Sequence, residues 1–405
     1  MKRYLKYALS LIFVSSMMIT NIGCASGNHD NLKERLDSLL SANYLPDSPG
    51  AALLIAKDGK VIYDNGIGVA DMNTHAKING NTAFNIASIS KQFTAVGALK
   101  LCENGKISLD DSVNKYFPEF KSDIWKSVKL KHLLSHCSGV PDARPRTNRD
   151  FMLHATDLQS IEYMHDLDSL KFVPGTYYDY INPTFDLFYV IFTKCTGKSF
   201  EQYQQENIFS VAGMNHTCYF AAGKLIENKA HGYVINEDVI LSGTDSDYAK
   251  SRSKSSHDYV DTNGTHWAEC DYGEETFFAT KADGGIYTTT HDFLKWENAL
   301  ATESIISAKA ISQAYKKHIK VSGSKYCTYQ NRANTWYGYG WFIDDTPGKE
   351  LKIYHTGDNG GFQAYAAKYP ESKVNVIMFE NRNDIDRWTM QQKIELILRE
   401  EGVLK

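Results

Sequence analysis

The chain has 405 residues, 42% of them hydrophobic, enough to bury a large core in one large or two modest domains. Its 44 basic and 48 acidic residues nearly balance, at a formal net charge of −4. No basic stripe or arginine-rich block runs through it, which excludes nucleic acid as an expected partner.

The N-terminus has the layout of an export leader. Lys2, Arg3 and Lys6 precede an apolar, small-residue run that ends at Gly23-Cys24. That run is short for a membrane span, and no later segment looks like a stop-transfer sequence. The ending "NIGC" resembles a bacterial lipobox, with Asn21 in place of the usual leucine-like residue. Residues 1–23 are therefore expected to be a lipoprotein-type signal peptide and Cys24 the lipidated residue. An exported, membrane-tethered protein of the cell envelope follows, periplasmic or surface-facing. The other six cysteines contain no CxxC pair, which leaves zinc and thioredoxin-like readings without support. Their pairing is not fixed by sequence, and buried free thiols are the plain alternative.

Residues 24–48 read as a tether and first helix, with Leu32, Leu36, Leu39 and Leu40 at helical spacing before Pro46 and Pro49. Residues 50–71 read as a hairpin, two apolar runs around Lys57-Asp58-Gly59-Lys60. A helix follows "FNIASISKQFTA" (84–95) and ends at Gly105. The middle, about 105–300, reads as mostly helical, with two helices split by Gly197. Residues 242–276 are polar and poor in aliphatics and read as a long exposed insertion, a passive surface loop or a lid at the pocket edge. Short β-rich runs at 335–344, 350–357, 361–370 and 373–381 then lead to a closing helix within 384–405. The expected fold class is α+β: an antiparallel sheet built from both chain ends and flanked by helices, with a mostly helical region inserted.

Ser88 and Lys91 carry the first chemical signal. A serine hydroxyl is a poor nucleophile until a base takes its proton. Residues three apart share a helix face, so Lys91 would reach Ser88, and a helix start favours a developing anion. Lysine acts as a base only when burial or nearby cations lower its pKa. S-x-x-K also occurs at Ser112/Lys115, Ser251/Lys254 and Ser322/Lys325. Only Ser88 combines an apolar approach with a long apolar helix. Tyr180 and Asn182, after the turn at Pro174-Gly175, form a Y-x-N element; it recurs at Tyr63/Asn65 and Tyr329/Asn331. A tyrosine beside a lysine can relay a proton, and an asparagine can hold an amide. His355-Thr356-Gly357 closes a strand. His355 would offer a positive or donor group over a pocket, Thr356 a hydroxyl, and Gly357 room for a substrate backbone. His132 and His136 are four apart but lack the glutamate of a metalloprotease helix, so packing is the expected role. Asp283, beside Gly284-Gly285, could edge the pocket but reads first as a turn residue.

Together with "ENGKISLDDSVNKYFPEF", "LLSHCSGVPD", "PGTYYDYIN", "ADGGIYTTTHDFLKW", "YGYGW" and "HTGDNGGF", these pieces run in the order of one family. The chain resembles the serine β-lactamase-like family in its class C branch, which includes D,D-peptidases, D-aminopeptidases and esterases. The resemblance covers about residues 48–383 and implies a catalytic domain over 49–383. It implies Ser88 as the acylated nucleophile, Lys91 as general base or its partner, and Tyr180 as proton shuttle to the leaving group. Asn182, His355, Thr356 and Gly357 would bind substrate. The backbone N–H groups of Ser88 and Asp358 would form the oxyanion hole, worth roughly 3–4 kcal/mol per donor. No metal and no cofactor are implied. His355 stands where the β-lactamases carry lysine, and Ile181 where a small residue is common. The expected function is an exported serine hydrolase of amides or esters, such as D-aminoacyl peptides. The alternatives are a true β-lactamase, a D,D-carboxypeptidase, or a non-catalytic penicillin-binding sensor.

Overall fold

The computed structural model describes residues 24–405 except 146, 149–150, 152–153, 237–257, 271–279 and 328–331, with side chains from residue 31 onward. The expected leader (1–23) and the side chain of Cys24 lie outside the described residues.

Helix α1 (Cys24–Ser41) leads into β1 (Ala51–Lys57) and β2 (Lys60–Ile67). Their link is the expected hairpin: Asp58 and Gly59 have φ of 50° and 75°, the paired positive values that match strand twist. The other strands are β3 (Ile319–Lys320), β4 (Thr335–Tyr337), β5 (Phe342–Asp344), β6 (Lys352–Asn359), β7 (Phe362–Tyr369) and β8 (Val374–Glu380). The sheet runs β3-β4-β5-β6-β7-β8-β1-β2, with every neighbouring pair antiparallel. Early and late segments of the chain meet between β1 and β8, from Ala51 opposite Glu380 to Lys57 opposite Val374. The sheet is thus built from both chain ends, as the sequence suggests.

Both faces of the sheet are covered by helices. These include α2 (Lys91–Glu103), α3 (Pro183–Thr196), α4 (Thr290–Ala301) and α5 (Arg387–Glu400). Ala51, Leu53 and Ile55 of β1 pack with Leu32, Leu36 and Leu40 of α1 and with Met390, Ile394 and Leu398 of α5. The alternate residues Ala52, Leu54 and Ala56 join the other core, with Phe93 and Leu99 of α2 and Phe293 and Trp296 of α4. Double burial explains why β1 reads as an unbroken apolar run rather than an alternation. Helix α2 is buried nearly all round and stops before Gly105 (φ 65°). Helix α3 ends at Gly197 (φ 70°), the expected split.

The middle of the chain also holds short strands. Phe84–Asn85, Ile286–Thr288 and Cys218–Tyr219 pair in that spatial order beside the serine turn. Within the polar stretch 242–276, residues 242–257 and 271–276 lie outside the described residues. The rest contains two strands, Asp258–Val260 and His266–Glu269, the latter pairing with Tyr233–Ile235. Trp267 is buried there against Val69, Met72 and Tyr233, and its indole N–H donates to Asp261 at 3.0 Å. Strands of three and four residues anchored by one tryptophan leave little trace in composition. Cys102, Cys137, Cys195 and Cys218 are free thiols.

Candidate active site

Ser88 lies on a 3₁₀ turn, Ala87–Ser90, three residues before the first α-helical residue, Lys91. Ala87 is held at φ 46°, a left-handed conformation uncommon for alanine. The turn is fixed on several sides. Asn85 Oδ1 accepts the Ala87 N–H at 2.9 Å, and the Ile86 N–H donates to the Ile286 carbonyl at 3.0 Å. Ser90 is buried with its Oγ accepting the Ile286 N–H, so its hydroxyl is structural while Ser88 remains partly exposed.

Lys91 Nζ sits 3.2 Å from Ser88 Oγ and donates to the Asp283 carbonyl at 2.7 Å. It also lies 5.2 Å from the centre of the Tyr180 ring and 5.5 Å from that of Phe185. Complete burial lowers its pKa to about 8; Asp283 and Asp186 pull it back up, and Arg144 adds to the lowering. The free-base form is therefore accessible near neutral pH, as general-base work requires.

The loop that presents the Asp283 carbonyl is itself held. Asp157 accepts the backbone N–H groups of Lys281 (2.8 Å) and Ala282 (2.9 Å), and Thr94 Oγ1 donates to the Ala282 carbonyl at 2.7 Å. Asp157 and Asp186 are fully buried, and burial raises both carboxyls, Asp157 to about 7 and Asp186 well above the usual range. Arg144 approaches this group while paired with Asp142. Asp283 thus edges the site, the second of the two roles open to it, and does so through its main chain. Sequence reasoning missed Asp157, Asp186 and Arg144. The one visible signal was Asp186, an acid inside the apolar run "PTFDLFYVIF".

Tyr180 is hydrogen-bonded to Ser88; burial pushes its phenol up and the Ser88 bond opposes that shift. It is a neutral phenol at physiological pH, fit to receive and pass on a proton. Asn182 precedes α3, whose first residue is Pro183, and its Oδ1 is buried without a hydrogen-bond partner. The other Y-x-N pair that the structure describes is structural: Tyr63 and Asn65 both bond Asp37 of α1, at 2.8 and 2.9 Å. Tyr329/Asn331 lies outside the described residues, as does Ser251/Lys254. Lys115 pairs with Asp111 at the surface, and Lys325 Nζ lies 5.1 Å from the centre of the Tyr177 ring.

Strand β5 pairs with β6 only as far as Tyr354. Among the described residues, no strand pairs with His355–Asn359 on that side, where the serine turn packs against Gly357. His355, expected as a positive or donor group, carries no positive charge. Its Nε2 accepts from Tyr337 Oη at 2.9 Å and its Nδ1 donates to the Thr356 carbonyl at 2.6 Å. Burial, then the charge of Lys91, holds the imidazole well below its ordinary pKa, hence neutral. Gly357 is also required by the protein's own packing. A Cβ there would meet the Ile86 carbonyl oxygen at 2.2 Å and the Ala87 methyl at 3.1 Å. By strand alternation Thr356 and Asp358 turn to the opposite face. There Arg332 approaches Thr356 Oγ1 at 3.5 Å, and Arg387 of α5 grips the Asp358 carboxylate at 2.8 and 2.9 Å. Arg387 also donates to the Gly357 carbonyl at 2.8 Å. His132 and His136 do not form a metal pair: their Nδ1 atoms accept from the Lys129 and Ile181 N–H groups.

The family model described as Beta-lactamase matches residues 42–393. The chain belongs to the β-lactamase family. Its sheet and flanking helices are the β-lactamase/transpeptidase-like fold. Among its relatives is Penicillin-binding protein 4* of Bacillus subtilis (strain 168), 25% identical over 87% of this chain and 73% of that protein. The octameric penicillin-binding protein homologue from Pyrococcus abyssi superposes with a TM-score of 0.70 at 25% identity, over 92% of this chain and 77% of that one. The D-amino acid amidase from Ochrobactrum anthropi SV3, complexed with D-phenylalanine, has the same fold at a TM-score of 0.70 and 20% identity, over 92% and 98% of the two chains. Membership makes this chain a hydrolase of the serine β-lactamase family.

Proposed function

We propose that the protein hydrolyses amides or esters through an acyl-enzyme on Ser88, with D-aminoacyl peptides as the leading substrate class. The observation that carries this reading is the buried Lys91 ammonium, lowered to about 8 and 3.2 Å from the Ser88 hydroxyl. Neutral Lys91 takes the Ser88 proton as Oγ attacks the carbonyl carbon. The oxyanion forms against the backbone N–H groups of Ser88 and Asp358. Tyr180 passes the proton to the departing amine or alkoxide, and the C–N or C–O bond breaks. Water, deprotonated through the same pair, then attacks the ester and releases the acid and Ser88.

Asn182 would hold an amide substrate once its side chain, whose Oδ1 is buried without a partner, turns toward Ser88. The neutral His355 favours substrates that do not depend on a fixed cation at that position to hold a carboxylate. That ranks amidase, peptidase and esterase turnover above β-lactamase or D,D-carboxypeptidase turnover. Export and a lipid at Cys24 would put the enzyme in the envelope, where such peptides and esters are met. Intact-mass analysis after a fluorophosphonate tests the reading, with Ser88→Ala alongside. One adduct, lost in Ser88→Ala, is expected, followed by turnover of D-aminoacyl amides or short esters. No adduct on folded protein would refute it. A persistent acyl adduct without turnover would favour a sensor, and efficient hydrolysis of a chromogenic cephalosporin would favour a β-lactamase.

A further inference from the structure

Deepening that reading, on which it rests, we propose that His136 is the positioning residue of Tyr180, the group that fixes where its phenol meets Ser88. His136 follows the short helix Leu130–Leu134 and stands at φ 51°, a left-handed backbone for a side chain that is 1% exposed. Such strain persists only where surrounding structure enforces it. Here two hydrogen bonds do so, one on each side of Tyr180. The His136 carbonyl accepts the Asp179 N–H at 2.9 Å, and Nδ1 accepts the Ile181 N–H at 3.3 Å. The residue between those two donors is Tyr180.

The ring completes the clamp. Its centroid is 4.0 Å from that of Tyr180 at 34°, with Tyr337 at 5.0 Å and Phe185 at 5.1 Å around it. His136 therefore holds the tyrosine by its main chain before and after, and by its ring face. Because Nδ1 accepts, Nε2 carries the proton, and burial keeps the imidazole neutral. A protonated ring could not accept from Ile181, so neutrality is part of the clamp. His136 touches no reacting atom in this arrangement. Its contribution is geometric, and a displacement of about 1 Å in a catalytic group can lower the rate about 100-fold.

A kinetic double-mutant cycle tests this, with fluorophosphonate acylation of Ser88 and kcat on the best substrate as readouts and Ser88→Ala as blank. His136→Ala removes the acceptor and the ring. It is expected to slow acylation and kcat about 50-fold, with KM changed less than about threefold. In a Tyr180→Phe background the same change should cost less than about twofold, because the phenol it positions is gone. His136→Asn keeps an acceptor near Nδ1 and tolerates positive φ; it should recover to within about fivefold of wild type. If the alanine chain does not fold, the cycle is read on His136→Asn, whose loss should vanish in the Tyr180→Phe background. An equal loss with and without Tyr180 Oη, or wild-type kinetics in folded His136→Ala, would overturn the assignment while Ser88 still labels. Absence of any Ser88 adduct in the wild type would instead remove the acyl-enzyme reading and this inference with it.

Discussion

Gly357 and Ile86 are in backbone contact: a Cβ on Gly357 would stand 2.2 Å from the Ile86 carbonyl oxygen. Strand β6 and the serine turn thereby lie in close contact at Gly357, a contact that would set the distance between the two oxyanion donors proposed above.

Gly357→Ala must push these two elements apart. Overpacking of this kind costs about 1–3 kcal/mol. The expected result is a lower melting temperature and fluorophosphonate labelling of Ser88 slowed at least about tenfold. A wild-type labelling rate would show that the contact does not set the geometry of the site.

Lys91 should impose the rising limb of the pH profile. With its pKa lowered to about 8, kcat/KM should climb as pH approaches 8, while Lys91→Met, correctly folded by circular dichroism, should be inactive. Activity that is flat between pH 6 and 9 would rule out Lys91 as the base.

The same shift predicts a stability difference. The folded pKa is about 8 and the ordinary lysine value is 10.5, so between them the unfolded chain binds more protons. The cost of burying the ammonium is paid in full below pH 8 and removed as pH rises toward 10.5. Relative to Lys91→Met, the wild type should therefore gain stability across that window, by about 3 kcal/mol for complete deprotonation. Urea unfolding of both proteins at pH 7.5 and pH 10 measures it, and a constant difference would contradict the burial argument.

Tyr180→Phe removes the hydroxyl bonded to Ser88 and leaves the ring in its packing. A lost proton relay lowers kcat, by about 100-fold or more, with little change in KM. A change confined to KM would reassign Tyr180 to substrate binding.

Cys24→Ala tests the proposed anchor. The wild type should fractionate with membranes and carry a lipid-sized mass increment on its N-terminal peptide. The variant should appear in the soluble fraction, and equal partitioning of the two would exclude the lipid. No described helix is long and apolar enough to cross a membrane, so membrane association by that route would need residues outside the described set.

Much of this could be read from local pattern. The Asp58-Gly59 turn, the stop before Gly105, the apolar β1 and the three-residue step from Ser88 to Lys91 are all short-range, and the structure carries each of them. What escaped depends on partners far along the chain. Asp157 reaches the site by holding the Lys281–Ala282 backbone, 124 and 125 residues away. Whether His355 is a positive group or a neutral donor stays open in the sequence because residue type gives no measure of burial, and here burial removes the charge. The motif at Gly357 points to substrate approach but gives no sign of its second requirement, the close Ile86 carbonyl. The role of His136 rests on which backbone N–H its Nδ1 meets, and no spacing in "LLSHCSG" encodes that.

The seam between β1 and β8 also bears on how the chain reaches its fold. Leu54 pairs with Ile377, a sequence separation of 323 residues (377 − 54). Pairings this remote carry a large loop-closure entropy and slow the folding search. Until β8 arrives, the hairpin of β1 and β2 presents Ala51–Ala56, a wholly apolar strand, as an uncovered edge. A chain interrupted before Val374 would keep that edge open, so premature truncation should yield aggregation rather than a smaller folded enzyme.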